Sequence, residues 1–255
     1  MKPVRITAPP SKSLSHRALI CAALASGDSM LEGLLDSQDL SRTKECLRAL
    51  GAELKPRNGG LLVQGTVPGP DSGAAVSLNV GESGTTCRLM AAVAAAFPGK
   101  WRIHGEGRMH KRPISHLTDA LVSQGVHVTF EEKNGYPPLT ITSQGLSGGE
   151  TPINPEQSSQ YLSGLLLAAP LARSRTVITL AGRSAASWPY VALTLDMMAA
   201  FGAEAAVELR TGSRWRPCLH VSEAAGAEPA DIRYSDRKST RLNPVTRESR
   251  MPSSA

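Results

Sequence analysis

Apolar positions along the chain fall into two alternating textures. Long Ala- and Leu-rich runs, opened by small polar residues, cover residues 13–25, 85–96 and 158–172 and predict helices. A shorter apolar stretch follows each run and predicts a strand: SMLEGLL from Ser29, KWRIHGEG from Lys100 and RTVITLAG from Arg175. A third kind of segment also recurs: LRALGAELKPRNGGLLVQG from Leu47, LVSQGVHVTFEEKNGYPPLTITSQG from Leu121 and MMAAFGAEAAVELRTGSRWRPCLHVSEA from Met197. Each reads as a helix stopped by a glycine (Gly51, Gly125 or Gly202) that can take the left-handed C-cap conformation, with two strands and a turn behind it. Asn58-Gly59, Asn134-Gly135 and Thr211-Gly212 mark the three turns.

The stop glycines lie 74 and 77 residues apart, so the pattern is an internal repeat. Each unit reads strand, helix, strand, helix, strand, strand, and three βαβαββ units cover nearly all of the sequence to about residue 222. The predicted fold class is therefore α/β. Each sheet is covered by two helices, and the inner helices of the three units pack together as a common core.

Candidate chemistry gathers where the inner helices start. The first opens PSKSLSHRALI, with Lys12 just before Ser13, the expected cap, and Arg17 four residues on along the same face. The second opens GESGTTCRLM, where Gly84 lets backbone approach a ligand and Arg88 repeats the four-residue offset. The third opens NPEQSSQYL, offering Ser158, Ser159 and Gln160. GEGRMHKRPISHL adds Arg108, Lys111 and Arg112 ahead of Pro113, which is expected to start a helix and so place Arg112 at another N-terminus. One serine before a helix is ordinarily a cap and nothing more. Three equivalent starts with hydroxyls, two of them with an arginine at one offset, make a site for phosphate or carboxylate.

Composition narrows the partners. The net charge is +6, but residues 235–255 hold five basic and two acidic residues, which leaves +3 for the rest of the chain. That balance suits small phosphorylated ligands and gives little support to a nucleic-acid surface. Three Trp, four Tyr and three Phe are too few for an aromatic platform of the kind that RNA-binding modules use. Cys21, Cys46, Cys87 and Cys218 are scattered without metal-ligand spacing and read as ordinary thiols, so no metal site is expected. No apolar run is long enough for a bilayer and no export signal opens the chain, which makes the cytoplasm the expected location, with no membrane partner.

Five segments, APPSKSLSHRALICAALASG, GESGTTCRLM, GEGRMHKRPISHLTDAL, SSQYLSGLLLAAPL and SWPYVALTLDMMAAFGAE, resemble in order and spacing the first half of the 5-enolpyruvylshikimate-3-phosphate synthase family. The resemblance runs from about residue 6 to about residue 220 and implies one of the two domains of the enolpyruvyl transferase fold. It implies transfer of the carboxyvinyl group of phosphoenolpyruvate to the 5-hydroxyl of shikimate 3-phosphate, with release of phosphate, no metal or organic cofactor, and a monomer when complete. Carried over by position, Lys12 touches both substrates, and Ser13 and Arg17 hold shikimate 3-phosphate. Ser158, Ser159 and Ser187 take its phosphate and Gln160 contacts the bound substrates. Gly84 and Arg112 receive phosphoenolpyruvate, and Arg88 and Tyr190 support the site from beside it. The family's proton-moving acidic residues come from its second domain. Glu82 departs from many relatives, which have Asn there. Gly84, the family's glyphosate contact, is unaltered, so ordinary sensitivity of the complete enzyme is expected.

The same resemblance divides the chain. Residues 1–9 are expected to belong to the other domain, with a hinge near Pro9 and Pro10; residues 10–222 form the three-repeat substrate-binding domain, and 223–234 begin an interdomain crossover. Residues 235–255 have no apolar periodicity and read as translated sequencing adapter. The expectation is a truncated enzyme, inactive by itself. A related transferase acting on UDP-N-acetylglucosamine shares the architecture, but Lys12-Ser13 and the lack of a reactive cysteine loop argue against it. A non-catalytic phosphate-ligand or RNA-binding domain is the alternative from another class.

Overall fold

The computed structural model describes residues 10–65, 74–181, 187–203, 205–210, 216–221 and 232–235, with only the backbone described for 206–210, 216–221 and 232–235. The expectations for residues 1–9, Thr211-Gly212 and 236–255 lie outside the described residues, as does the Cys218 side chain.

Unit one contains α1 (Lys12–Leu24), β1 (Asp28–Glu32), α2 (Gln38–Ala49), β2 (Glu53–Arg57) and β3 (Gly60–Gln64). Unit two contains β4 (Val76–Gly81), α3 (Gly84–Ala95), β5 (Pro98–Gly105), α4 (Ser115–Ser123), β6 (His127–Phe130) and β7 (Leu139–Gln144). Unit three contains β8 (Gly149–Ile153), α5 (Ser159–Ala168), β9 (Thr176–Leu180), α6 (Trp188–Ala200), β10 (Ala205–Arg210) and β11 (Arg216–Val221). A last strand, β12 (Ile232–Ser235), follows.

Three four-stranded sheets of one plan result among the described residues: β4-β5-β7-β6, β8-β9-β11-β10 and β12-β1-β3-β2. In each, the first pair is parallel and the others antiparallel. The repeat calls for a strand ahead of α1, and β12 fills that place, pairing Ser29 with Ile232 through Glu32 with Ser235. Backbone that the sequence reading put in the crossover and at the edge of the tail thus lies in the sheet of unit one.

Burial follows the two textures. Strands β3, β7 and β9 alternate buried with partly exposed positions, the signature of a sheet packed on one face. Helices α1, α3 and α5 are buried on nearly all sides, as their continuous apolar sequence requires. Helices α3 and α5 run against each other so closely that a Cβ on Gly164 would lie 2.7 Å from the Arg88 carbonyl oxygen and 3.3 Å from the Ala92 Cβ. The stop glycines behave as read: Gly51, Gly125 and Gly202 have φ of 107°, 83° and 81°.

Three local expectations are corrected. The cap of α1 is Ser11, whose extended backbone lets its hydroxyl accept from the Leu14 N–H, while Ser13 lies inside the first turn. Serines at 11, 13 and 15 carry the same local signal, and Ser15 is engaged otherwise, donating to the Ser11 carbonyl and accepting from the Leu35 N–H. Pro113 does not open a helix: α4 starts at Ser115, and Arg112 instead closes a short 3-10 turn, Gly107–Lys111, through its N–H to the Met109 carbonyl. Helix α5 also stops early, at Ala168, because Pro170 brings no N–H to continue it; a 3-10 turn, Ala169–Leu171, follows.

Candidate functional site

The three inner helices bring their N-termini to one end of the domain, and side-chain bonds tie these ends together. Ser83 caps α3 by accepting from the Thr86 N–H, and Ser158 caps α5 by accepting from the Gln160 N–H. Gln160 then bridges the two helices: its amide donates to the Thr85 hydroxyl at 2.9 Å and its carbonyl accepts from Arg88 at 2.8 Å. Arg88 also lies over the Tyr161 ring, 5.2 Å from its centroid, and Tyr161 donates to the Pro113 carbonyl. These bonds lock one plane of the Arg88 guanidinium beside the starts of α3 and α5, where first-turn N–H groups and positive dipole ends favour an anion.

Arg112 meets the same place from another loop. A Cβ on Gly84 would sit 2.4 Å from its Nη1, so the glycine is what allows the guanidinium to lie against the first turn of α3. The half-buried Arg112 thus joins Gly84, Arg88 and Gln160 as one cluster.

Helix α1 contributes Lys12, Ser13 and Arg17. Lys12 stays largely exposed and pairs with Asp39 at 2.5 Å. Asp39 stands in the first turn of α2, and its carbonyl accepts from the Thr86 hydroxyl, so the starts of α1, α2 and α3 adjoin. Arg17 is 2% exposed and faces no carboxylate among the described residues; it donates to Thr194 (2.7 Å), the Ser13 carbonyl (2.9 Å), Ser163 (3.0 Å) and the Tyr190 carbonyl (3.2 Å). Burial lowers its pKa to about 10, which still leaves it cationic at neutral pH. Its charge is held by neutral oxygens from α1, α5 and α6, and it fixes Ser13 and Tyr190 in place.

Ser187 and Tyr190 stand at the start of α6, which the Tyr190 carbonyl ties to Arg17. Ser187 is the only non-glycine residue with positive φ among those described, at φ 55° and ψ 55°. Such backbone costs on the order of 1 kcal/mol and is found at sites that need a hydroxyl or N–H aimed in one direction. Tyr190 and Trp188 are the exposed aromatics of this edge.

Sequence reading missed three features. Asp39 is the partner of Lys12, though its place in the first turn of a capped helix was visible. Thr194 and Ser163 line Arg17 without any local signal. His16 is fully buried, with Nδ1 2.8 Å from the Thr43 hydroxyl and Nε2 unpartnered. Thr43 in turn lies 2.9 Å from Thr86. Burial of His16, offset in part by Asp39 and reinforced by Lys12 and Arg17, pushes its pKa down to about 4. Cys21, Cys46 and Cys87 are buried free thiols pushed up to about 12 by that burial, so they offer no nucleophile. No group of metal-binding side chains occurs among the described residues, and no described helix is long and apolar enough to cross a membrane.

Comparison with known proteins follows the same lines. The profile of the family EPSP synthase (3-phosphoshikimate 1-carboxyvinyltransferase) matches residues 4–215. The 3-phosphoshikimate 1-carboxyvinyltransferase of Marinomonas sp. (strain MWYL1) is 42% identical over 200 residues, 78% of this chain and 47% of its own length. That of Photobacterium profundum is 43% identical over 199 residues, 77% of this chain and 46% of its own. The solved EPSP synthase of Acinetobacter baumannii superimposes with a TM-score of 0.70 at 26% identity, covering 90% of this chain and 48% of that one. The chain spans about half the length of the curated relatives it matches.

Proposed function

Because the chain belongs to the EPSP synthase family, we propose that it supplies the shikimate 3-phosphate half of a site that moves the carboxyvinyl group of phosphoenolpyruvate to the 5-hydroxyl of that carbocyclic hydroxy acid. The carbon–oxygen bond of the enol ether forms at the enol carbon and inorganic phosphate leaves from it. The observation that carries the reading is the tied cluster of helix starts, in which Gln160 bridges Thr85 and Arg88 while Arg112 lies on Gly84.

Both substrates are multiply anionic, and the cluster offers what they need: fixed guanidinium planes, a lysine, hydroxyls and helix N-termini. Ser158, Ser159 and Ser187 take the phosphate of shikimate 3-phosphate, and Gln160 orients the ring. Ser13 reaches the same substrate; Arg17, expected to hold it as well, is 2% exposed with its guanidinium engaged by Thr194, Ser163 and two backbone carbonyls, and so acts from beneath by holding Ser13 and Tyr190. Gly84 and Arg112 receive phosphoenolpyruvate, and Lys12 stands between the two ligands. Protonation of the enol methylene develops positive charge on the enol carbon, which must be stabilised as the hydroxyl adds there and gives up its own proton; loss of phosphate and of one proton from the resulting methyl group then restores the vinyl ether. The acid and base for that step come from acidic residues of a second domain, whose closure excludes water. The reading includes action in the cytoplasm, as a monomer when complete, without metal or organic cofactor, and ordinary sensitivity to glyphosate through Gly84.

Calorimetric titration with shikimate 3-phosphate tests it. The chain is expected to bind, with affinity reduced about tenfold by Gln160→Ala, which removes a hydrogen bond to a charged partner. Absence of binding at millimolar ligand, or equal binding by the variant, would overturn the assignment.

A further inference from the structure

Glu82 stands at the loop between β4 and α3, at a position the proposed reaction leaves without a task. Its Oε1 accepts from the Arg108 N–H at 2.9 Å. The neighbouring Glu106 N–H donates to the Gly81 carbonyl at 3.1 Å. Two alternate N–H groups of one loop are thus held by consecutive residues of another. Between them Gly107 takes φ 53°, and a Cβ there would lie 2.3 Å from Glu82 Oε1, so the approach of the carboxylate demands a glycine. The turn so fastened is Gly107–Lys111, and Arg112 follows it directly, tied back by its N–H to the Met109 carbonyl. Arg112 is the guanidinium that lies on Gly84, two residues after Glu82.

We propose that Glu82 is a positioning residue: its carboxylate clamps the turn at 107–111 so that Arg112 is delivered to the start of α3 where the anionic co-substrate binds. The inference deepens the proposed function and rests on it for the identity of that co-substrate. What acts is the acceptor oxygen, since the partner is a backbone N–H. The negative charge itself opposes an incoming anion. Glutamine therefore preserves the clamp and alanine removes it.

Hydrogen exchange of residues 107–112 in the chain, with phosphoenolpyruvate titrations at saturating shikimate 3-phosphate, tests this in the wild type, Glu82→Gln and Glu82→Ala. Glu82→Ala is expected to speed exchange of the Arg108 amide and to raise the apparent Kd for phosphoenolpyruvate about tenfold, as loss of a charge-assisted bond implies. Glu82→Gln is expected to restore both, with shikimate 3-phosphate binding unchanged throughout. Unchanged exchange in Glu82→Ala would overturn the clamp, and faster exchange with unchanged phosphoenolpyruvate affinity would overturn its role in delivering Arg112. If the wild type takes up no phosphoenolpyruvate, the substrate reading fails separately, while the exchange of Arg108 still decides the clamp.

Discussion

Lowering the pH from 7.5 to 4.5 should weaken the fold through one side chain, His16. Its ring is fully buried, its Nε2 has no partner, and Lys12 and Arg17 oppose a second positive charge there, although Asp39 favours it. The folded protein therefore holds His16 neutral until about pH 4, whereas the unfolded chain takes up a proton near 6.5. Above 6.5 both states are neutral and the full stability is present. Between 6.5 and about 4 only the unfolded state gains the proton, so stability falls as the pH falls, at about 1.36 kcal/mol per pH unit. Over the roughly 2.5 units between the ordinary value and the folded one, the loss comes to roughly 3 kcal/mol. That is a large share of the ~5–15 kcal/mol that typically stabilises a domain. Urea unfolding at pH 7.5, 6.5, 5.5 and 4.5, in wild type and His16→Gln, isolates the contribution, because carboxylates and the other histidines titrate alike in both. The difference between the two proteins should shrink steadily below pH 6.5, and NMR of the wild-type imidazole should show it neutral to about pH 4.5. Parallel curves for the two proteins, with His16 titrating near 6.5 in the native state, would refute the reasoning.

Three further perturbations follow from close contacts. Gly84→Ala should keep the fold, since the atom its Cβ would strike at 2.4 Å is the mobile end of Arg112, but should weaken phosphoenolpyruvate binding about tenfold in calorimetry without altering shikimate 3-phosphate binding. Gly164→Ala has no such escape, because the Cβ would meet the Arg88 carbonyl at 2.7 Å; a loss of about 1–3 kcal/mol should appear in urea unfolding. Thr194→Val removes an acceptor of the buried Arg17 at similar volume and should cost about 2–3 kcal/mol by the same assay.

What could be read from sequence was local. The stop glycines at 51, 125 and 202 and the small polar openings of the helices are set by backbone needs within a few residues, and they reported the repeat correctly. The clustering of helix starts followed from the repeat itself, since equivalent elements occupy equivalent places. Ser11 was missed as a cap because Ser13 and Ser15 carry the same local signal. Arg112 was misplaced because Pro113 resembles a helix start, whereas the chain first makes the turn clamped by Glu82. The partners of Arg17 lie as far as 177 residues away on α6, and the edge strand of unit one comes from Ile232–Ser235. Pairings of that range depend on how the units pack, and a single sequence carries no local trace of them.

Whether the gathered helix starts form the pocket for shikimate 3-phosphate is tested by an amide NMR titration of the chain with that ligand. The largest shifts are expected at Ser13, Ser158, Ser159 and Gln160, with smaller ones at Gly84 and Thr85. Shifts confined to other surfaces, or none at saturating ligand, would contradict that assignment of the pocket.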